Sequence, residues 1–349
     1  MKILAIETSC DETAIAILEA TGTLQNPEFK ILGNSLISQI DLHQEFGGVV
    51  PHLAKREHQK NLPIILKKAL GEAGISENLE GIDFIAVTSG PGLEPALWTG
   101  ILFAEELGEK YGKPVLPINH MEGHIYSAIF NVKESLSFPA LTLLVSGGHT
   151  EIVHIENFGK YEILGKTRDD AVGEAFDKVA RLLGLPYPGG PEISRLAEAH
   201  RQKGLTPSMI LPRPMIHSKD FDFSYSGLKT SVLYLLKGQE ITEHLREEVA
   251  HAFEDAAIEV LLEKTGKALE ARGAKTLIVA GGVANNTYLR KEVTKLAETF
   301  QGLTLLLPEK SLTTDNAVMI GVTAYIRVLE DPLSLEGVGK IKARGNLSL

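Results

Sequence analysis

Residues 120–124 read His-Met-Glu-Gly-His. Two histidines four apart at a helix start share one face, so both imidazoles can reach one metal ion. Alone, such a pair is more often two half-exposed histidines. The run differs from the His-Glu-x-x-His zinc peptidases, which need Glu directly after the first His to act on metal-bound water. Met121 stands there, Glu122 is one step on and Gly123 weakens the helix, so proteolysis is not expected. A carboxylate comes later, Asp315 in Leu312-Thr313-Thr314-Asp315-Asn316, where an ordinary helix N-cap is the alternative role. Two histidines and one carboxylate leave coordination positions open, which suits ferrous iron and also admits zinc.

Three further runs could carry chemistry. Glu7-Thr8-Ser9-Cys10-Asp11-Glu12-Thr13 packs three carboxylates into one loop, either a solvated hairpin tip or a place that handles a metal, a base edge or a proton. Cys10 has no basic neighbour in sequence and reads as an inert thiol. Ser146-Gly147-Gly148 follows an apolar run, and its glycines would let backbone amides approach an anion, unless it is simply a hairpin turn. Gly281-Gly282 leads to Asn285-Asn286 at a helix start, where Asn286 caps the helix or contacts a base or ribose.

The elements that must position these residues repeat along the chain. Apolar runs at 2–6 and 13–18 are separated by too short a loop for a crossover, so they predict antiparallel neighbours, with a third strand at 30–38. There follow a helix over 53–73 broken near Pro63, a strand at 84–88, a helix at 95–111, a strand at 114–118 and a helix from 120 to 130. The second half repeats this order. Strands are expected at 141–145, 151–155 and 161–166, then helices at 173–183 and 249–269. A strand at 276–280, a helix ending near 300, a strand at 303–307 and a helix at 315–328 complete it.

Two α/β copies therefore divide near residues 131–139. The domains expected are 1–131, then 132–330 with an insertion near 185–243, and a tail at 331–349. In the insertion, Tyr187-Pro188-Gly189-Gly190-Pro191 is a rigid turn opening a helix, and Phe221, Phe223 and Tyr225 alternate like a buried strand face. The histidine pair follows the last strand of copy one and Asp315 holds the equivalent place in copy two. Pseudo-symmetry thus brings His120, His124 and Asp315 together across the space between the copies. Paired loops facing one cleft suit a nucleotide. The arrangement resembles the actin-like superfamily of sugar kinases, chaperone ATPases and actin, built from duplicated RNase H-like domains.

The 349 residues carry 35 Lys+Arg against 45 Asp+Glu, a net charge of -10, so a nucleic-acid partner must meet local basic patches. Three such patches are Lys55-Arg56-His58-Lys60, Lys166-Arg168 and Lys340-Lys342-Arg344. A single cysteine excludes an internal disulfide framework and fits a reducing compartment. No apolar stretch suits a membrane span and Glu7 interrupts any signal-peptide core, so a cytoplasmic protein is expected. An apolar helix face within 53–70 is either core or a dimer surface.

Taken jointly, the runs 6–13 (IETSCDET), 47–53 (GGVVPHL), 120–124 (HMEGH), 144–150 (LVSGGHT), 173–178 (GEAFDK), 187–191 (YPGGP), 223–230 (FSYSGLKT), 281–286 and 314–316 (TDN) resemble the bacterial TsaD family over nearly the whole chain. These are tRNA N6-adenosine threonylcarbamoyltransferases, once described as glycoprotein endopeptidases. The resemblance implies transfer of the threonylcarbamoyl group of threonylcarbamoyl-AMP to the N6 amine of the adenosine 3′ of the anticodon, releasing AMP. The family's metal ligands fall on His120, His124 and Asp315. Its substrate contacts fall on Leu144, Val145, Ser146, Gly147, Gly148, Asp177, Gly190 and Asn286. Asp11 or Glu12 is the residue expected to orient the amine or take its proton. Implied partners are tRNA, a TsaB-like paralogous subunit and a TsaE-like ATPase. Departures from the family pattern are Ala284-Asn285, where relatives carry Ser-Ala, and Asn119, where some carry another histidine.

Overall fold

The computed structural model describes residues 1–130, 132, 136–336 and 340–349, so Asn131, the expected domain boundary, lies outside the described residues. The first half runs β1 (Lys2–Glu7), β2 (Glu12–Gly22), β3 (Pro27–Ser38), α1 (Ile40–Gln44), α2 (Pro51–Ala73), β4 (Phe84–Gly90), α3 (Glu94–Tyr111), β5 (Val115–Asn119) and α4 (His120–Ser127). Its sheet has the order β3-β2-β1-β4-β5. Strand β1 pairs antiparallel with β2 and parallel with β4. That central position explains the uninterrupted apolar run: Ile3, Leu4, Ala5 and Ile6 are all buried, because both faces of the strand are covered.

The second half runs β6 (Ala140–Val145), β7 (Thr150–Asn157), β8 (Lys160–Lys166), α5 (Val172–Leu182), α6 (Gly189–Gln202), α7 (Ser226–Leu236), α8 (Glu243–Arg272), β9 (Thr276–Ala280), α9 (Thr287–Glu298), β10 (Thr304–Leu306) and α10 (Ala317–Glu330). Its sheet has the order β8-β7-β6-β9-β10, strand for strand the order of the first. The duplication expected from the sequence is therefore present among the described residues. The insertion is part of the core: Ile193, Leu196, Phe223, Tyr225, Leu228 and Val232 pack with α5 and α8. Phe223 and Tyr225 are buried as expected, although only Phe223 makes a strand-like bridge, to Thr167.

Two expectations need correction. Helix α2 continues through Pro63. Its buried positions Ala54, His58, Leu62, Ile65 and Ala69 keep helical spacing on both sides, while Pro63 and Gln59, the residue deprived of its hydrogen bond, are exposed. The inner face of α2 is core, and Ile64 stays exposed.

The domain assignment also changes. The compact units are Met1–Leu136 with Pro308–Leu349, and Ser137–Leu307. Residues 308–330, expected in the second domain, belong to unit 1. Helix α10 is buried on every side from Ala317 to Ile326, and a stretch of that kind must be enclosed. It packs on β1, β2 and α4, with Phe29 edge-on to Tyr325 at 5.7 Å.

Candidate metal centre and nucleotide loops

Unit 1 assembles the three metal-ligand candidates, so they converge within one unit and not between two copies. Helix α4 begins directly at the end of β5. Asn119 caps it, its Oδ1 accepting from the backbone N–H of Met121 at 2.8 Å. His120 and His124 therefore sit one turn apart, ring centroids 4.6 Å from each other. Asp315 arrives with α10, which closes on α4 where Gly123 leaves room: a Cβ there would lie 3.2 Å from Met319 and Ile320. Asp315 is not the N-cap. Asn316 fills that role, Oδ1 accepting from Met319 N at 2.9 Å, which frees the Asp315 carboxylate.

The Asp315 Oδ1 atom lies 3.3 Å from His120 Nε2 and 3.1 Å from His124 Nε2, and the three ligand atoms fall within 4.8 Å of one another. Both nitrogens of His124 are buried without an aligned hydrogen bond. A buried imidazole whose Nε2 meets the Asp315 carboxylate off-axis and whose Nδ1 has no hydrogen bond is costly unless something else uses it. The charges agree. Burial opposes an imidazolium at His120, yet Asp315 and Glu7 hold its pKa well above the histidine range. Burial opposes the charged form of Asp315 too, but His120 holds its carboxyl far below the usual range. Glu12 is pushed well up by burial, Asp315 and Asp11. The Cys10 thiol rises by burial and then Asp11 and Asp315, as an inert thiol should. A pocket whose carboxylates keep a buried histidine cationic, and whose crowding by negative charge pushes Glu12 up, is arranged for positive charge. With two imidazoles and a carboxylate as donors, it fits a divalent ion.

Glu7 was visible in the sequence only as one carboxylate of three. Its side chain is fully buried; Oε2 accepts from Thr88 Oγ1 at 2.6 Å and from His120 Nδ1 at 3.0 Å, while Oε1 accepts from Ser9 N. Burial raises this carboxyl but His120 outweighs it, so Glu7 is ionised and Nδ1 carries the shared proton. With Nδ1 held by Glu7, the ring presents Nε2 to the point it shares with Asp315 and His124. This carboxylate–histidine arrangement orients and strengthens metal ligands, and loss of such a partner costs about 10–100-fold in affinity. Glu7→Gln should lower divalent-metal affinity by about that factor, measured by competition with a chelator, with little change in melting temperature. The signal available in sequence was an acid closing an otherwise apolar strand.

Asp11 is buried in the loop after β1, and Glu12 is half-buried at the start of β2. Glu122 is used elsewhere: it is buried in a bidentate pair with Arg327 of α10, Nη2 at 2.7 and 2.8 Å. That engagement adds to the case against a metallopeptidase.

Unit 2 gathers the remaining candidates around the C-terminal ends of β6 and β9, the end of parallel strands where ligands bind in α/β folds. Leu144 and Val145 are buried within β6, while Gly147 and Gly148 are exposed. Ser146 Oγ accepts from Gly148 N at 3.3 Å and His149 N at 3.0 Å, and Ser146 O accepts from Gly173 N at the start of α5. Asp177 Oδ1 accepts from Gly189 N at 2.7 Å, which fixes the start of α6 beside Gly190; burial nevertheless raises the Asp177 carboxyl. Asn286 caps α9 through Leu289 N, and its Nδ2 donates to Ser194 Oγ and to the buried Glu254 Oε1, each at 2.7 Å. Both roles suggested for Asn286 start from a pinned carboxamide, and the partners Ser194 and Glu254 were not legible from local sequence.

Of the basic patches, His58 is buried against Thr13 Oγ1 and Cys10 O, and Arg168 is paired with Asp220 and Asp222. Lys340, Lys342 and Arg344 are exposed. No helix among the described residues is long and apolar enough to cross a membrane.

Solved structures share this architecture. An activator of 2-hydroxyisocaproyl-CoA dehydratase from Clostridium difficile, with bound ADPNP, superimposes with a TM-score of 0.52 at 11% identity over 97% of this chain and 100% of that one. A full-length HypF in a phosphate- and nucleotide-bound form gives 0.56 at 13% identity, over 96% of this chain and 47% of that one. The fold is thus the actin-like one, two mixed five-stranded sheets with helices. Sequence relatives are much nearer. A tRNA N6-adenosine threonylcarbamoyltransferase from Thermosipho melanesiensis is 49% identical over 93% of this chain and 94% of its own length. Its counterpart from Nitrosospira multiformis is 45% identical over 100% and 98%. A family profile matches residues 30–322. The chain belongs to the TsaD family, the tRNA N6-adenosine threonylcarbamoyltransferases.

Proposed function

We propose that this enzyme transfers the threonylcarbamoyl group of threonylcarbamoyl-AMP to the N6 amine of the adenosine 3′ of the anticodon in tRNAs reading ANN codons, releasing AMP. The observation that carries this reading is the end-to-end family match, in which the His120–His124–Asp315 trio forms a cation-ready site. Acyl transfer to a weakly nucleophilic amine needs a held donor, stabilised carbonyl charge and a destination for a proton.

Unit 2 supplies the donor's binding groups. Gly147 and Gly148 leave backbone open for the AMP phosphate, with the turn preformed by Ser146. Asn286 and Gly190 hold the adenosine end, and Asp177 fixes the backbone beside Gly190. Leu144 and Val145, being buried, contribute only through backbone and by setting the loop's exit. In unit 1, His120, His124 and Asp315 hold a divalent metal, ferrous iron in preference to zinc. When bound, it supplies Lewis acidity toward the threonylcarbamoyl carbonyl. Glu7 keeps the proton on His120 Nδ1, and Asp11 or Glu12 orients the amine or takes its proton. The setting is cytoplasmic, with a TsaB-like subunit and a TsaE-like ATPase as partners.

Incubation with threonylcarbamoyl-adenylate and unmodified tRNA, followed by nucleoside mass spectrometry, should show threonylcarbamoyladenosine and stoichiometric AMP. Steady phosphate release from ATP without tRNA, and no modified nucleoside, would point to a kinase or ATPase of the same fold instead.

A further inference from the structure

The C-terminal strap of unit 1 runs in non-helical backbone over the ends of β4 and β5. Ile341 is buried in the core, and its N–H donates to Glu105 Oε1 at 3.0 Å. Arg344 N donates to Ser89 O at 2.8 Å, and Gly345 O accepts from Gly92 N at 3.1 Å. Ser348 O accepts from Asn119 Nδ2 at 3.0 Å. The strap is therefore fastened at both ends of the metal centre's support. Asn119 caps the helix that carries His120, and Ser89 follows Thr88, which holds Glu7.

Along the strap the side chains alternate. Ile341 points into the core, while Lys340, Lys342 and Arg344 are exposed and make no ion pair among the described residues. In extended chain, cations two residues apart are spaced by about 6.6 Å. A row of unpaired cations on a chain of net charge -10 is a local exception to the surrounding field.

We infer that Lys340, Lys342 and Arg344 form a phosphate-contacting rail for tRNA backbone flanking the acceptor adenosine. The inference rests on the proposed transferase reading and deepens it. An adenosine inside a polyanion cannot reach the His120 centre without its neighbouring phosphates passing close by. The rail is fastened to the residue that precedes His120, and its row of positive charge matches a repeating anion. An acidic protein partner is the competing occupant of such a surface.

The metal-loaded full chain and its Lys340→Ala/Lys342→Ala/Arg344→Ala variant would be compared for binding of unmodified tRNA across a salt series. Each lost phosphate contact reduces the slope of log K against log salt by about 0.7–0.9, so the variant's slope should be shallower by about 2, with weaker binding at low salt. Melting temperature and metal content should be unchanged, since these side chains are exposed and make no ion pair among the described residues. In parallel, saturating tRNA should protect Lys340 and Lys342 of the unmodified chain from acetylation, read by mass spectrometry. Equal slopes with no protection would overturn the rail while leaving the transferase reading intact. Absence of tRNA binding and of threonylcarbamoyladenosine formation in the parent chain would defeat both. Protection by polyglutamate as strong as that by tRNA would overturn the rail in favour of an acidic protein partner.

Discussion

Alanine at His124 or Asp315 should weaken divalent-metal binding by more than about 100-fold, beyond what loss of an outer-sphere partner costs. Threonylcarbamoyl transfer should fall to background with it. Each residue supplies one of three donor atoms lying within 4.8 Å, and the remaining pair cannot hold an ion against water and buffer. The two variants should part company in stability. Removing Asp315 takes one of two carboxylate partners from the buried His120 and the carboxylate contact from His124, whereas His124→Ala removes two buried nitrogens that lack an aligned hydrogen bond and relieves a desolvation cost. The apo form of His124→Ala should therefore melt no lower than the apo parent by more than the cavity of one ring demands, while Asp315→Ala melts lower. Metal titration followed by calorimetry measures both effects. Undiminished transfer by either metal-free variant would remove the ion from the mechanism.

Gly281→Ala should cost about 3 kcal/mol, a fall in melting temperature on the order of 10 °C, and abolish nucleotide binding. Gly281 sits at φ 92°, ψ 168°, a region that essentially only glycine occupies. A Cβ there would lie 2.3 Å from the carbonyl oxygen of Val145. That oxygen cannot retreat, because β6 is clamped between β7 and β9 in the middle of its sheet. The turn that follows delivers Asn286 to Ser194 and Glu254, so displacement disconnects the α9 cap from α6. Denaturant unfolding and equilibrium dialysis with AMP report the two losses separately. A variant that binds AMP like the parent would show that this turn is not part of the nucleotide site.

Much of the fold was legible because its signals are local. The burial of β1 and β6 at sheet centres leaves unbroken apolar runs, the short loops after them force antiparallel return, and the same order occurs twice. The histidine pair was legible for the same reason, since helical spacing fixes which side chains share a face. Proline at position 63 misled because its effect depends on which side of the helix it occupies. Here it faces outward, and the buried stripe holds the helix together.

Asp315 marks the limit of the sequence. Its residue type and its place before a helix were readable, and alone they pointed to an ordinary N-cap, while its place in the repeat pointed to a ligand. The choice was made by Asn316, which takes the cap, and by α10, whose stretch Ala317–Ile326 requires enclosure and finds it on β1, β2 and α4. Burial is non-directional, so composition states that α10 must be covered but not by what. Glu7, Ser194 and Glu254 belong to the same class. Each acts through a hydrogen bond to a residue remote in sequence, at a distance of about 3 Å that only packing sets. The sequence by itself determined the elements, their repetition and the chemistry available. The tertiary structure decided which donors share one point, because convergence depends on how whole helices dock, and docking is settled by shape across the entire core.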